Sequence, residues 1–175
     1  MYRAGVRSPI VFAAVTDPVK AGVVAGFGRP TANVTGASDL APLAEQMRLF
    51  VEIVPGMKRM GFVFDSRLIS PAATLAALRP IADSMGVSIV EAPVESAAAA
   101  SEAVVRLMGK VDAIYLPNDT TVNPATASIV RLSHGAKVPV FTSESNGVDR
   151  EGALASVGLD YFEVGALQDK WLSRF

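Results

Sequence analysis

Short apolar runs alternate along the chain with longer stretches in which apolar residues return every three or four positions. The short runs are Ile10–Val15, Asn33–Thr35, Met60–Phe64, Ser88–Ala92, Ala113–Leu116, Val138–Thr142 and Ala153–Val157. They are rich in Val, Ile and Phe and mostly apolar throughout rather than alternating. That pattern predicts strands covered on both faces, as in a parallel sheet.

The longer stretches predict helices. Leu40, Leu43, Ala44, Met47, Phe50, Val51 and Val54 share one helical face, with Asp39 as N-cap and Gly56 as stop. Ser70-Pro71 reads as cap and first helical residue ahead of a stripe at Leu75, Leu78, Ile81 and Met85 that Gly86 ends. Ser96 and the alanines after it start a helix that carries Val104, Leu107 and Met108 and stops at Gly109. Asn123-Pro124 is again a cap and first turn, followed by Ile129, Val130 and Leu132. Asp160 and Glu163 form a start resembling a capping box.

Strand, polar loop, helix, short turn and strand recur from Met60 to Val157. The prediction is a doubly wound α/β sheet with right-handed crossovers. In such sheets ligands sit beyond the carboxyl ends of the strands. Those ends here are Asp65-Ser66-Arg67, Pro93–Ser96, Pro117–Asn123 and Ser143–Asn146, all polar.

Composition narrows the function classes. The 175 residues are 50% hydrophobic and 19% charged, enough to bury a sizeable core. A net charge of -1 leaves no broad basic field for nucleic acid. Cys is absent and His134 is the one histidine, so thiolate and histidine-rich metal sites are excluded and no cofactor is expected. No apolar run reaches the roughly 18 residues of a membrane span. Arg3 and Arg7 ahead of Pro9–Val15 resemble a weak signal peptide, but the stretch is short and runs into Thr16-Asp17-Pro18, favouring a strand and turn.

Gly22, Gly26 and Gly28 lack dinucleotide-loop spacing, and neither a P-loop nor a nucleophile elbow occurs. His134, before Gly135, reads as a helix C-terminal residue favoured by the dipole. Asp17, Asp65, Asp119 and Glu144 all follow strands. They can cap and solvate loops, pair with a ligand ammonium, or form a catalytic carboxylate pair. Arg67, beside Ser66 and Ser70, either holds a carboxylate at a helix N-terminus or is an ordinary loop arginine. Tyr115, Phe141, Phe64 and Phe12 are core residues, unless one near a strand end stacks on a ligand.

The segment "PIVFAAVTDPVKAGVVAGFGRPTANVTGASDLAPLAEQMRLFVEIVPGMKRMGFVFD" resembles the ABC-transporter substrate-binding proteins that include the tryptophan/tyrosine-type binding proteins. "GKVDAIYLPNDTTV", "AKVPVFTSES" and "GALASVGLDYFEVG" match the same family in the same order. The resemblance implies a type I periplasmic-binding fold, an α/β architecture that closes over a small-molecule ligand without catalysis. It implies an ABC permease as partner and a place outside the cytoplasmic membrane. It assigns residues 1–56 and 158–175 to a partial first lobe and 57–157 to a complete second lobe. The ligand-contacting residues it implies are Thr16 and Asp17; Ser66, Arg67 and Ser70; Asn118, Asp119, Thr120 and Thr121; and Ser143 and Glu144. The aromatic wall would come from residues such as Tyr115 or Phe141.

The loop after Met60–Phe64 lacks the Asn-Pro and Asn-Ser pairs usual in the family, so the resemblance leaves the ligand open. It also implies a chain shortened at both ends. The partial lobe would expose a sheet edge and apolar helix faces, giving either a homodimer with a second copy or a sticky monomer. The expected function is the solute-binding component of an importer, binding a small organic solute, such as an aromatic or branched amino acid, between two lobes. The alternatives are a small α/β hydrolase or sugar-processing enzyme using strand-end carboxylates, and a ligand-sensing regulatory domain.

Overall fold

A computed structural model describes residues 8–28, 33–158 and 165–166. The chain divides into two compact units, Met1–Leu40 with Leu159–Phe175, and Ala41–Gly158. The expected capping box at Asp160 and Glu163 lies outside the described residues.

In the smaller unit, strands β1 (Ile10–Phe12) and β2 (Val34–Gly36) pair in parallel with Ile10 opposite Val34. In the larger unit the elements run α1 (Leu43–Ile53), β3 (Arg59–Phe64), α2 (Ile69–Ser84), β4 (Ser88–Pro93), α3 (Ala97–Leu107), β5 (Ala113–Leu116), α4 (Thr126–Gly135), β6 (Val140–Thr142), α5 (Ser145–Asp149) and β7 (Ala155–Ser156). They form a five-stranded sheet in the order β4-β3-β5-β6-β7. Every pairing in it is parallel, as the apolar strand runs predict.

The strand order reverses beside β3. The chain goes out to β4, then returns past β3 to β5. That reversal places helices on both faces, and the two-residue period of the strands divides the core accordingly. Met60, Phe62 and Phe64 of β3, Ala113 and Tyr115 of β5, and Phe141 of β6 pack with Leu43, Met47 and Phe50 of α1 and Leu75 and Leu78 of α2. Val63, Ile114, Leu116 and Val140 point the other way, against Val104 and Leu107 of α3 and Ile129 of α4. Gly61 is small for a steric reason. A Cβ there would meet Leu107 Cδ1 at 2.8 Å, so glycine lets α3 lie close on the sheet.

Gly56, Gly86 and Gly109, read as helix stops, have φ of 81, 72 and 73°, which favours glycine. Ser96 caps α3 as expected, its Oγ accepting from Ala99 N at 3.2 Å. Three other caps differ from the sequence reading. α1 begins at Leu43 with Pro42 at its N-cap and no side-chain cap bond, so Asp39 lies too far upstream. α2 begins at Ile69, which places Ser70 and Pro71 inside the first turn, where a missing N–H costs little. Asn123 opens a single 3-10 turn, Asn123–Ala125, without capping it. β6 is shorter than its apolar run because Pro139, ahead of it, has no N–H for the ladder.

Candidate functional site

The carboxyl ends of β3, β5 and β6 lie along one edge because the strands are parallel neighbours. The loops that follow carry most of the residues singled out above. The crevice beside β3 and β5 is the topological switch point of the sheet, where ligands of doubly wound folds bind.

Two buried carboxylates organise this crevice. Asp65 and Asp119 are each 1% exposed. Asp119 accepts Asp65 N–H on Oδ2 at 2.6 Å, and Thr121 N–H and Val122 N–H on Oδ1 at 2.8 and 3.0 Å. It therefore shapes the turn after β5 and ties it to β3. Asp65 takes the Arg67 guanidinium in a bidentate grip, Nε on Oδ1 at 2.8 Å and Nη2 on Oδ2 at 2.6 Å. Thr121 Oγ1 donates to the same Oδ2 at 3.0 Å. The Arg67 side chain holds the Asp65 carboxyl well below the usual carboxylate range, with burial working against it and the Arg67 N–H and Thr121 hydroxyl adding to the effect. Arg67 Nη2 also donates to the Glu95 carbonyl at 2.9 Å, which brings in the end of β4.

On the other side of β5, the rim opens into a cavity of about 130 Å³ lined by Leu116, Pro117, Asn123, Thr126, Thr142, Ser143, Glu144, Gly147 and Glu151. Asn123 Nδ2 donates to Glu144 Oε1 at 3.1 Å, joining the β5 and β6 loops across it. Thr142 Oγ1 donates to the Glu144 carbonyl at 2.7 Å and fixes the loop backbone. A Cβ on Gly147 would come within 2.6 Å of that Thr142 hydroxyl, so the start of α5 can press against the strand end only as glycine. Among the described residues, no cation forms an ion pair with Glu144 or Glu151.

The structure thus brings Asp65, Arg67, Asp119 and Thr121 into one hydrogen-bonded network, with Ser66 and Thr120 exposed beside it and Asn118 and Ser70 partly buried. Ser143 and Glu144 lie on the next loop, where Ser143 N–H donates to the Leu116 carbonyl at 3.1 Å. Thr16 and Asp17 belong to the smaller unit. Asp17 Oδ1 accepts Lys20 N–H at 2.8 Å in a local turn, and the Thr16 carbonyl accepts from Ser38 Oγ at 2.9 Å. Tyr115 and Phe141 form no aromatic wall. Both are wholly buried, because their strand positions point at α1, where Phe50 stacks on Phe141 with centroids 4.1 Å apart.

The sequence puts Asn123 in the polar stretch Pro117–Asn123 but does not single it out as a ligand contact, because its place before proline reads as a helix cap. Sequence reasoning missed Thr142 and Glu151. Thr142 ends a buried strand, and Glu151 follows a helix too short to show a period. Among the described residues there is no group of three or more His, Asp or Glu placed to hold a metal ion, and no helix long and apolar enough to cross a membrane.

A family model described as ABC transporter substrate binding protein matches residues 1–173. The tyrosine-binding protein of Clostridioides difficile (strain R20291) is 29% identical over 164 residues, covering 94% of this chain and 47% of that protein. A conserved domain protein from Vibrio cholerae superposes with a TM-score of 0.86 at 34% identity, over 99% of this chain and 58% of that one. The ABC domain in complex with L-Trp from Streptococcus pneumonia gives a TM-score of 0.84 at 29% identity, over 95% of this chain and 56% of that one. The chain therefore spans about half the length of these relatives. The parallel α/β sheet, the polar rim at its carboxyl edge and a family match over nearly every residue lead to one assignment: the chain belongs to the family of ABC transporter substrate-binding proteins.

Proposed function

We propose that this chain contributes the solute-binding surface of an ABC importer, working outside the cytoplasmic membrane with a membrane permease. Its solute is an amino acid, with an aromatic side chain preferred. The observation that carries this reading is the polar cavity at the carboxyl edge of a parallel sheet, with an amide, hydroxyls and two carboxylates that form no ion pair among the described residues. Glu144 takes the ligand ammonium, and the Asn123 amide orients that carboxylate. A cavity of about 130 Å³ suits a head group rather than a whole aromatic amino acid, since an apolar cavity of ~150 Å³ is filled by one benzene. The tyrosine-binding relative and the L-Trp complex support the aromatic preference.

The enzymatic alternative requires a pair of strand-end carboxylates facing the substrate. Asp65 and Asp119 spend their oxygens on Arg67, Thr121 and backbone amides, and Glu144 is held by the Asn123 amide. That arrangement supports holding a solute over transforming it.

Thermal unfolding with L-tyrosine, L-tryptophan, L-leucine and glucose tests the reading. A ligand at a hundred times its Kd adds about 2.7 kcal/mol, a rise of roughly 5–10 °C for a chain of this size. The rise is expected with L-tyrosine or L-tryptophan, and it shrinks in Glu144→Gln. No rise with any amino acid, an undiminished rise in the variant, or chemical conversion of the ligand overturns it.

A further inference from the structure

The Asp65 carboxylate carries four donors. Oδ1 accepts Arg67 N–H at 3.0 Å and Arg67 Nε at 2.8 Å, and Oδ2 accepts Arg67 Nη2 at 2.6 Å and the Thr121 hydroxyl at 3.0 Å. Three of the bonds that place this residue do not involve the arginine side chain: those from Arg67 N–H and Thr121 Oγ1 to its carboxylate, and that from its own N–H to Asp119. In the loop after β4, the Glu95 carbonyl accepts Arg67 Nη2 at 2.9 Å, and Glu95 Oε2 lies 3.7 Å from Nη1. The guanidinium thus meets acceptors from two loops, fork to fork on Asp65, as a bound cation would.

Burial differs sharply across the pair. The Asp65 side chain is 2% exposed and that of Arg67 57%. The acid belongs to the wall of the crevice, and the base lies over it from the open side. Charge is one-sided as well. Asp65, Asp119 and Glu95 bring three carboxylates to these loops, and among the described residues Arg67 is the only cation in an ion pair with any of them. Ion pairs with an exposed partner contribute little to stability, so stability alone does not require the fork. What the fork adds is discrimination, because it denies a buried carboxylate at the switch point of the sheet to any other cation.

We propose that Asp65 and Thr121 form a cation seat beside β3 that the chain fills with its own Arg67, making Arg67 a specificity-determining residue that bars guanidinium and ammonium groups of solutes from this crevice. A competing cation must displace a bidentate partner tethered two residues away, and it is repelled while that partner stays. That the barred cation belongs to a solute rests on the functional reading above. The filled seat does not.

Titration of the full chain with methylguanidinium chloride, followed by amide chemical shifts at pH 7 and constant ionic strength, tests the seat. The wild type should show no saturating shift at residues 65, 66 and 121. Arg67→Ala should saturate there at about millimolar concentration, at least tenfold more tightly than the wild type responds. Adding Asp65→Asn should abolish the gain, and Arg67→Lys, which keeps a charge without the fork, should stay closed to the probe. Should Arg67→Ala not fold, Arg67→Gln removes the charge with less loss of volume and must show the same gain. Saturation in the wild type, no gain in the uncharged variants, or an equal gain in Arg67→Lys or in the double variant overturns the proposal. L-arginine carries the test to a solute. It should shift residues 65 and 121 in Arg67→Ala and leave them unmoved in the wild type, and movement in the wild type overturns the barring role. If the wild type does not respond to L-tyrosine or L-tryptophan, the functional reading falls, while the methylguanidinium titrations still decide the seat.

Discussion

Replacing Asp119 by alanine tests whether the rim is built on one buried carboxylate. Asp119 is 1% exposed and accepts three backbone N–H groups, from Asp65, Thr121 and Val122. Hydrogen bonds to a charged group contribute about 1.5–3 kcal/mol each. Thr121 is only partly buried, so water recovers part of its share. The expected loss is therefore about 3–5 kcal/mol, below the sum of three full bonds. With a urea slope near ~2 kcal/mol/M, the unfolding midpoint falls by about 2 M at unchanged slope. Asp119→Asn keeps an acceptor on one side and turns an NH₂ toward an N–H on the other, so it loses about 1–2 kcal/mol. Urea unfolding followed by circular dichroism measures both variants. An alanine variant within about 1 kcal/mol of wild type, or an asparagine variant as unstable as the alanine one, would refute the idea that this carboxylate carries the loop.

Acid should weaken the fold through Asp65 and Asp112. The Arg67 side chain holds the first carboxyl low, and the Lys58 and Arg59 N–H groups do the same for the second. Carboxyls lowered in the folded state favour folding above their unfolded value of about 3.9, and that contribution is lost as pH falls below it. Urea midpoints at pH 7 and pH 3 should show the drop, and Asp112→Asn should narrow it; an equal drop in the variant would rule out this source. Gly61→Ala drives a methyl into Leu107 Cδ1 and should cost about 1–3 kcal/mol, relieved when Leu107 is also alanine, as a double-mutant cycle would reveal. Phe50→Ala removes the ring stacked on Phe141 and should cost about 3–5 kcal/mol in urea unfolding; a loss under 1 kcal/mol would mean that α1 is not held by this contact.

The sheet was legible because its signal is local. Ala113–Leu116 is apolar at every position, and the chain keeps such a run buried only where helices cover both faces. Glycines after Val54, Met85 and Met108 mark stops that any L side chain would strain, and all three have positive φ. Family resemblance was equally accessible, since it resides in the order of residues. Helix starts were less secure. A polar residue near a proline reads as a cap wherever it stands, and Ser70 and Asn123 fell inside their first turns.

The chain by itself therefore determined the alternation of strands and helices, the polar character of the strand ends and the family. Only the tertiary structure decided what each polar group does there. Asp119 and Glu144 look alike in sequence, each an acid just past an apolar strand. One is buried on three backbone amides, and the other lines a cavity beside a single amide. The difference depends on partners 54 and 21 residues away, which local propensity cannot register. Gln46 makes the same point from the opposite direction: an ordinary helix residue in sequence, it becomes the meeting place of Tyr115 and Val157 once the sheet closes beneath α1.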